Sequence, residues 1–102
     1  MKFINTAIPS VYIIETGCSK DERGRFSRVY CRNENAENHL EMEVVQINRS
    51  INTLAGTFRG LHYQRPPACE CKRIICVRGR IYDIIVDLRK DSPAFLHWIG
   101  IE

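Results

Sequence analysis

The stretch KRIICVRGRIYDIIVDL, residues 72–88, is the part of the sequence that most clearly predicts a fold. It holds two apolar runs rich in Ile, Val and Tyr, and Gly79 lies between them. Short runs of this composition favour β-strands, and a glycine between them favours a tight turn. The stretch therefore predicts an antiparallel hairpin of Lys72–Arg78 with Arg80–Leu88.

This predicted hairpin carries two charged residues on an apolar face. If its turn has two residues, alternation of side chains makes Lys72 and Asp83 diagonal neighbours on one face, among isoleucines. Burying an isolated charge costs roughly several kcal/mol unless the charge is paired or used. We therefore expect this face to line a pocket.

The rest of the sequence shows the same short apolar runs, separated by Gly, Pro, Asn and Asp. Such spacing is typical of strands and turns. The further predicted strands are Val11–Glu15, Gly24–Tyr30, Val44–Ser50, Thr57–Gln64 and Leu96–Ile101. Only Asn33–Leu40 is predicted to be helical. The sequence thus predicts a single all-β domain over residues 1–102.

Composition narrows the class of protein. The 102 residues include 15 basic and 12 acidic ones, a formal net charge of +3, with no run of five like charges. We therefore expect no nucleic-acid partner and no membrane-binding patch. The apolar residues near the N-terminus are interrupted by Asn5, Thr6 and Pro9, so we expect no signal-peptide core there. No apolar run approaches the length of a membrane span.

The five cysteines are odd in number, and Cys69 and Cys71 form a C-x-C pair. This spacing matches neither a redox C-x-x-C motif nor half of a standard zinc site. Reduced thiols are the simplest interpretation, and reduced thiols are typical of a cytoplasmic protein. We expect cytoplasmic localisation.

The segment GTFRGLHYQ, residues 56–64, resembles the metal motif of the cupins, and Glu70 and Gly79 follow at fitting distances. Gln64 stands where that motif has its second histidine. Replacing an imidazole ligand with a neutral amide weakens a transition-metal site. The segment therefore predicts a cupin-type jelly-roll barrel, and it also predicts that no metal is bound.

Within this segment, FRGLHYQ at residues 58–64 resembles the F-R-G-L-H-[FY]-Q signature of dTDP-4-dehydrorhamnose 3,5-epimerases. Three other segments resemble that family in order and spacing: DERGRF at 21–26, VQIN at 45–48, and residues 72–90. The resemblance covers nearly the whole chain, but about the first half of a typical family member.

The resemblance implies an activity and its chemistry. The family acts on a dTDP-linked 4-keto-6-deoxyhexose and inverts the sugar at C3 and C5 without a cofactor. The C4 ketone acidifies the protons on both neighbouring carbons, so a base, an enolate-stabilising group and an acid are needed. His62 matches the family's base, and Lys72 matches the cation that stabilises the enolate oxygen.

The resemblance also implies residues that bind the nucleotide diphosphate and its base. They are Arg23, Phe26, Gln46, Asn48 and Arg59. Asp83 either orients His62 or Lys72, or has only a structural role, and the sequence leaves both open. Two further residues have structural alternatives to their functional roles. Lys72 could be an ordinary surface lysine, and Phe26 could be a core residue.

The sequence departs from the family at two places. Arg28 stands where the family usually has an acidic residue, which leaves the nucleotide preference open. The family's tyrosine acid and the aspartate that pairs with its catalytic histidine fall after Glu102. A jelly roll needs about eight strands, and six or seven are predicted, so we expect a shortened or incomplete barrel in a single chain.

Three functions follow. The first is a homodimeric epimerase of a dTDP-linked 4-keto-6-deoxy sugar in deoxysugar biosynthesis. The second is a truncated, catalytically impaired subunit that binds sugar nucleotides or serves assembly. The third, a metal-dependent cupin enzyme, is opposed by Gln64.

Overall fold

The structure, a computed structural model, describes residues 1–40 and 42–102. Its strands are β1 (Lys2–Asn5), β2 (Tyr12–Glu15), β3 (Cys18–Asp21), β4 (Gly24–Ser27), β5 (Asp83–Val86) and β6 (Trp98–Ile101), and its helix is α1 (Arg32–Glu37). The strands form three separate two-stranded antiparallel sheets, β1–β2, β3–β4 and β5–β6. The prediction of an all-β and incomplete fold is confirmed. In the described residues the sheets do not join into a closed barrel.

The first sheet closes through a turn that the Thr6 side chain organises. The Thr6 hydroxyl accepts a hydrogen bond from the Ile8 N–H at 3.2 Å and lies 3.0 Å from the Val11 carbonyl oxygen. The Thr6 backbone N–H also donates a hydrogen bond to the Val11 carbonyl oxygen at 3.2 Å. The turn folds Ile8 inwards, where only 1% of the residue is exposed. Ile8 is therefore the best-buried apolar side chain that the structure describes.

The second sheet is a hairpin with a two-residue loop. Asp21 fixes this loop, since it accepts hydrogen bonds from the Arg23 N–H at 2.9 Å and from the Arg23 guanidinium at 2.6 Å. These bonds lower the pKa of Asp21. Both strands are largely exposed, and they contact no other strand or helix of the described residues. The hairpin is therefore not packed against another described strand or helix.

Helix α1 is joined to the N-terminus by Glu34. This carboxylate pairs with the Met1 amino group and, at 2.6 Å, with the Arg28 guanidinium. Hydrogen bonds from these two cations lower the pKa of Glu34 to about 2. The predicted helix is confirmed in position but is shorter, because His39 takes a positive φ of 57° and turns the chain after Glu37.

The third sheet is closed by a loop built around Asp87. This buried carboxylate accepts hydrogen bonds from the Arg89 N–H at 3.0 Å, from the Arg89 guanidinium at 2.7 and 2.8 Å, and from the Ser92 hydroxyl at 2.6 Å. Arg89 also donates to the Pro9 carbonyl oxygen at 2.7 Å. Asp87 thereby links the loop before β6 to the turn between β1 and β2.

The central part of the chain departs from the prediction. Val44–Ser50, Thr57–Gln64 and Lys72–Arg78 are not strands, and β5 pairs with β6 instead of with Lys72–Arg78. The predicted hairpin is therefore wrong. A strand requires a neighbouring backbone to satisfy its N–H and C=O groups, and no other described segment pairs with these three as a strand.

Elsewhere the predicted strands are found with shorter bounds. β2, β4 and β6 lie within Val11–Glu15, Gly24–Tyr30 and Leu96–Ile101, and β5 lies within Arg80–Leu88. Strands β1 and β3 were not predicted. No helix in the described residues is long and apolar enough to cross a membrane.

We predict that Asp87→Asn lowers the midpoint of thermal unfolding. The change keeps the side chain's shape but removes the charge that orders Arg89 and Ser92. Circular dichroism would measure the midpoint. Asp91→Asn, an exposed aspartate in the same loop, is the matched control and should leave it unchanged. Equal midpoints for wild type and Asp87→Asn would contradict the role assigned to Asp87.

We predict that Glu34 makes stability depend on acid pH. The pKa of Glu34 is lower in the folded chain than its ordinary 4.5, so its contribution is complete above pH 4.5 and is lost as the pH falls towards about 2. Urea unfolding across that range should show a smaller loss of stability in Glu34→Gln than in wild type. Glu37→Gln, on the same helix but outside the described ion pairs, should retain the wild-type profile.

Candidate functional site

The motif that carries His62 lies in the central part of the chain, outside the strands. His62 and Arg59 are both exposed, and an Arg59 guanidinium nitrogen lies 3.3 Å from the Asn52 side-chain oxygen. Between the two residues, Gly60 has a φ of 138°, a conformation that side-chain-bearing residues rarely adopt. The imidazole and the guanidinium thus lie on either side of a glycine whose backbone conformation disfavours a side chain.

Lys72 pairs with Glu70, not with Asp83. Its ammonium nitrogen lies 2.8 Å from a Glu70 carboxylate oxygen, and each side chain is about two-fifths exposed. An ion pair this open to water contributes about 0–1 kcal/mol. A ligand oxyanion can therefore displace Glu70 from Lys72 at little cost.

Asp83 begins strand β5 and lies opposite Ile101 in β6. In the described residues, no hydrogen bond or ion pair joins it to His62 or Lys72. The prediction that Lys72 and Asp83 are diagonal neighbours lining a pocket is wrong, because it depended on a hairpin that does not form. Two surface depressions of the described residues lie elsewhere, one beside Met1 and Glu15, the other between Ile8 and Trp98.

Apart from Arg59, the predicted binding residues fall into two groups. Gln46 and Asn48 are close together, since the Gln46 amide donates to the Asn48 side-chain oxygen at 3.1 Å. Arg23 and Phe26 lie on the β3–β4 hairpin, where Phe26 is 77% exposed. The alternative of Phe26 as a core residue is therefore wrong for this chain.

Two polar partners were not recognised as such from the sequence. Glu70 holds the Lys72 ammonium, and Asn52 lies beside the Arg59 guanidinium. The sequence indicates Glu70 only as part of a metal motif, although its position two residues before Lys72 also favours an ion pair. Asn52 had no comparable signal, since seven residues separate it from Arg59.

The donor set suits proton transfer and anion binding. An imidazole, an ammonium and a guanidinium lie within residues 59–72, and all are accessible to a ligand. In residues 1–40 and 42–102, no three His, Cys, Asp or Glu side chains are grouped to hold a metal ion. The absence of a bound metal stays a prediction, because it rests on Gln64 standing where the cupin metal motif has its second histidine.

Comparison with known proteins gives a family. The family described as dTDP-4-dehydrorhamnose 3,5-epimerase matches residues 5–102. The dTDP-4-dehydrorhamnose 3,5-epimerase of Shigella flexneri is 42% identical over 103 residues, which cover 99% of this chain and 56% of the relative. The enzyme of the same name from Methanothermobacter thermautotrophicus is 39% identical over 100 residues, covering 98% and 53%.

A third relative of that name, from Escherichia coli K12, is 34% identical, covering 99% of this chain and 55% of the relative. The chain spans about half the length of the curated relatives it matches. No solved structure matches it significantly. The resemblance seen in the motifs is confirmed, and the chain belongs to the dTDP-4-dehydrorhamnose 3,5-epimerase family.

Proposed function

We propose that this chain acts in the epimerisation of a dTDP-linked 4-keto-6-deoxy sugar, in deoxysugar biosynthesis. The observation that carries the proposal is the set of Arg59, His62 and Lys72 within one accessible segment, at the positions of the family signature. Three relatives that share this chain's sequence at 34–42% identity bear the name of that epimerase.

The reaction begins with proton removal beside the ketone. The C4 carbonyl withdraws electrons from C3 and C5, so the C–H bonds there are acidic. His62 accepts the proton on an imidazole nitrogen, and the electron pair of the broken C–H bond moves into an enolate with its negative charge on the C4 oxygen. Histidine suits the step because imidazole accepts and releases protons near neutral pH.

Lys72 is the residue that stabilises this enolate. Its ammonium can contact the C4 oxygen once that oxygen displaces Glu70, and the exchange is cheap because the exposed ion pair is weak. A positive charge placed where negative charge develops lowers the barrier to deprotonation. Epimerisation is completed when a proton returns to the carbon from the opposite face.

Arg59 binds the diphosphate in this proposal. A guanidinium offers paired N–H donors that fit phosphate oxygens, and the neutral Asn52 amide beside it is a weaker acceptor than phosphate. Gln46 and Asn48 present neighbouring amides for the nucleotide base. Arg23 and the exposed ring of Phe26 supply a second cation and a stacking surface on the β3–β4 hairpin.

A second candidate is a subunit that binds the sugar nucleotide without completing the inversion. It is favoured by one observation: in the described residues no hydrogen bond or ion pair joins Asp83 to His62 or Lys72, so Asp83 does not orient the imidazole. A histidine without such a partner is less well held in the tautomer that catalysis needs. Binding of the nucleotide sugar without proton exchange would identify this function.

We propose the cytoplasm as the location, because all five cysteines are free thiols and four of them are exposed. Exposed thiols persist in a reducing compartment. The nucleotide-sugar substrate fits the same compartment in this proposal.

We predict that His62→Ala and Lys72→Met each reduce proton exchange beside the ketone by about 10²–10⁴-fold. Their binding of dTDP should stay near that of wild type, because neither residue contacts the diphosphate in the proposal. NMR of dTDP-4-keto-6-deoxyglucose in deuterated water would follow exchange at C3 and C5, and calorimetry would follow binding.

Arg59→Ala should show the opposite pattern, weaker binding with exchange retained at saturating substrate. His97→Ala, an exposed histidine outside the motif, is the matched control for His62→Ala. Exchange at the wild-type rate in His62→Ala would refute the base assignment. Exchange absent from the wild-type chain, with binding intact, would support the second candidate.

We predict that the chain forms a homodimer through the β3–β4 hairpin. This hairpin contacts no other described element and exposes Phe26, so a second copy can bury it. Light scattering at micromolar concentration should give twice the monomer mass, and Phe26→Asp should shift the mass towards the monomer. A stable wild-type monomer would contradict this prediction.

A further inference from the structure

We propose that Cys69 and Cys71 form a dithiol site that reacts with a small anionic disulfide and closes into a disulfide around Glu70. The proposal assigns a covalent modification site, and it depends neither on the epimerase function nor on a second chain. Three observations on the described residues support it.

The first observation is that both thiols are accessible. Cys69 and Cys71 are free and exposed, and one residue separates them. The Cys69 thiol donates to the Gln64 carbonyl oxygen at 3.8 Å, whereas no hydrogen bond among the described residues includes the Cys71 thiol. A cysteine attacks a disulfide as its thiolate, and the attack requires access to the sulfur. Cys71 is therefore the first to react, since it gives up no hydrogen bond.

The second observation is the charge around Cys71. Within four residues of it on either side stand Lys72, Arg73 and Glu70, a net charge of +1. Within four residues of Cys18, another exposed thiol, stand one Lys and three Asp or Glu, a net charge of −2. Opposite charge attracts a reactant, and like charge repels it. Cys71 thus favours a disulfide that carries carboxylates, and Cys18 disfavours one.

The third observation is that the pair lies within the candidate site. Glu70, between the two cysteines, holds the Lys72 ammonium at 2.8 Å. The Cys69 thiol contacts the carbonyl oxygen of Gln64, two residues after His62. A disulfide sulfur has no proton to donate, so oxidation removes this contact and places Glu70 in a closed ring. The oxidation state of the pair thereby acts on the partner of Lys72.

The spacing of the two cysteines allows the ring to close. Two trans peptide units span at most about 7 Å between their outer Cα atoms, and disulfides join Cα atoms that are about 4.4–6.8 Å apart. A bend of the chain at Glu70 is therefore sufficient. No described strand includes residues 69–71, so no strand pairing opposes the bend.

The reaction consists of two thiol–disulfide exchanges. The Cys71 thiolate attacks one sulfur of the small disulfide, whose S–S bond breaks and releases a thiolate that takes up the proton lost by Cys71. The Cys69 thiolate then attacks the Cys71 sulfur, the mixed disulfide breaks, and the second small thiol leaves with the proton lost by Cys69. Two protein thiols are oxidised to one disulfide, and one small disulfide is reduced to two thiols.

The test compares two small disulfides of opposite charge. The reduced 102-residue chain is treated with glutathione disulfide, which carries a net negative charge, or with cystamine, which carries a net positive one. Intact mass and peptide mapping would follow each cysteine with time. We expect glutathione disulfide to convert the pair to a Cys69–Cys71 disulfide. We also expect the ratio of the glutathione rate to the cystamine rate to be about tenfold higher at Cys71 than at Cys18.

Variants separate the roles of the residues. Cys69→Ser should stop the reaction after its first exchange, so that one glutathione stays on Cys71. Lys72→Met should lower the rate ratio at Cys71, because it removes a positive charge, and should leave the ratio at Cys18 unchanged. Cys76→Ser is the matched control, since Cys76 is also free and exposed, and this variant should still form the Cys69–Cys71 disulfide.

Several results would overturn the proposal. One is a disulfide that joins Cys71 to Cys76, and another is a rate ratio at Cys71 no higher than that at Cys18. A glutathione adduct that stays on Cys71 in the wild-type chain as long as in Cys69→Ser would also overturn it. No readout uses a sugar nucleotide, so a failure of this proposal is separable from a failure of the epimerase proposal.

Discussion

Each strand of the described residues depends on the pairing of its backbone with one antiparallel neighbour. β1 and β2 are separated by one short turn, β3 and β4 by two residues, and β5 and β6 by a loop ordered around one carboxylate. Short connections keep the entropic cost of pairing low. Closeness in sequence is not sufficient, however, because Lys72–Arg78 directly precedes Arg80–Leu88 and yet β5 pairs with β6.

Asp87 shows how a polar group stabilises such a structure when the apolar core is small. Only Ile8 and Ala94 are buried apolar residues in the described chain, so burial of side chains contributes little to holding the sheets together. Asp87 binds the Arg89 guanidinium, which reaches the Pro9 carbonyl oxygen, and its own loop places Ala94 in the interior. The contact between the two ends of the chain is therefore electrostatic as well as apolar. This contact fixes the turn that holds Ile8.

The sequence allowed the family, the all-β class and four of the six strands to be predicted, but not the pairing of β5. Alternation of apolar residues in Arg80–Leu88 favoured a strand, and a strand formed at Asp83–Val86. The turn signal at Gly79 favoured Lys72–Arg78 as its partner, whereas Trp98–Ile101 pairs with it instead. A turn signal alone does not predict which of two possible strands will pair with β5, because that choice depends on the packing of the whole sheet. The prediction that Asp83 lies beside Lys72 was wrong because it depended on this pairing. His62 and Lys72 were predicted from motifs that do not depend on strand pairing.

The positions of the site residues connect assembly with activity. Arg59, His62 and Lys72 lie outside the strands, and the contacts described for them are the exposed pair of Lys72 with Glu70 and the bond of Arg59 to Asn52. Catalysis by proton transfer requires the base and the stabilising cation to be placed within hydrogen-bonding distance of the reacting atoms. An exposed segment outside the strands can bind a nucleotide diphosphate through arginine alone, but catalysis also requires His62 to be kept on one face of the sugar ring. Pairing of residues 43–82 with neighbouring strands would fix the alternation of side chains along them, so that the residues of one face point into a common space. The ordering of this segment is therefore the step that would turn a set of suitable residues into an active site.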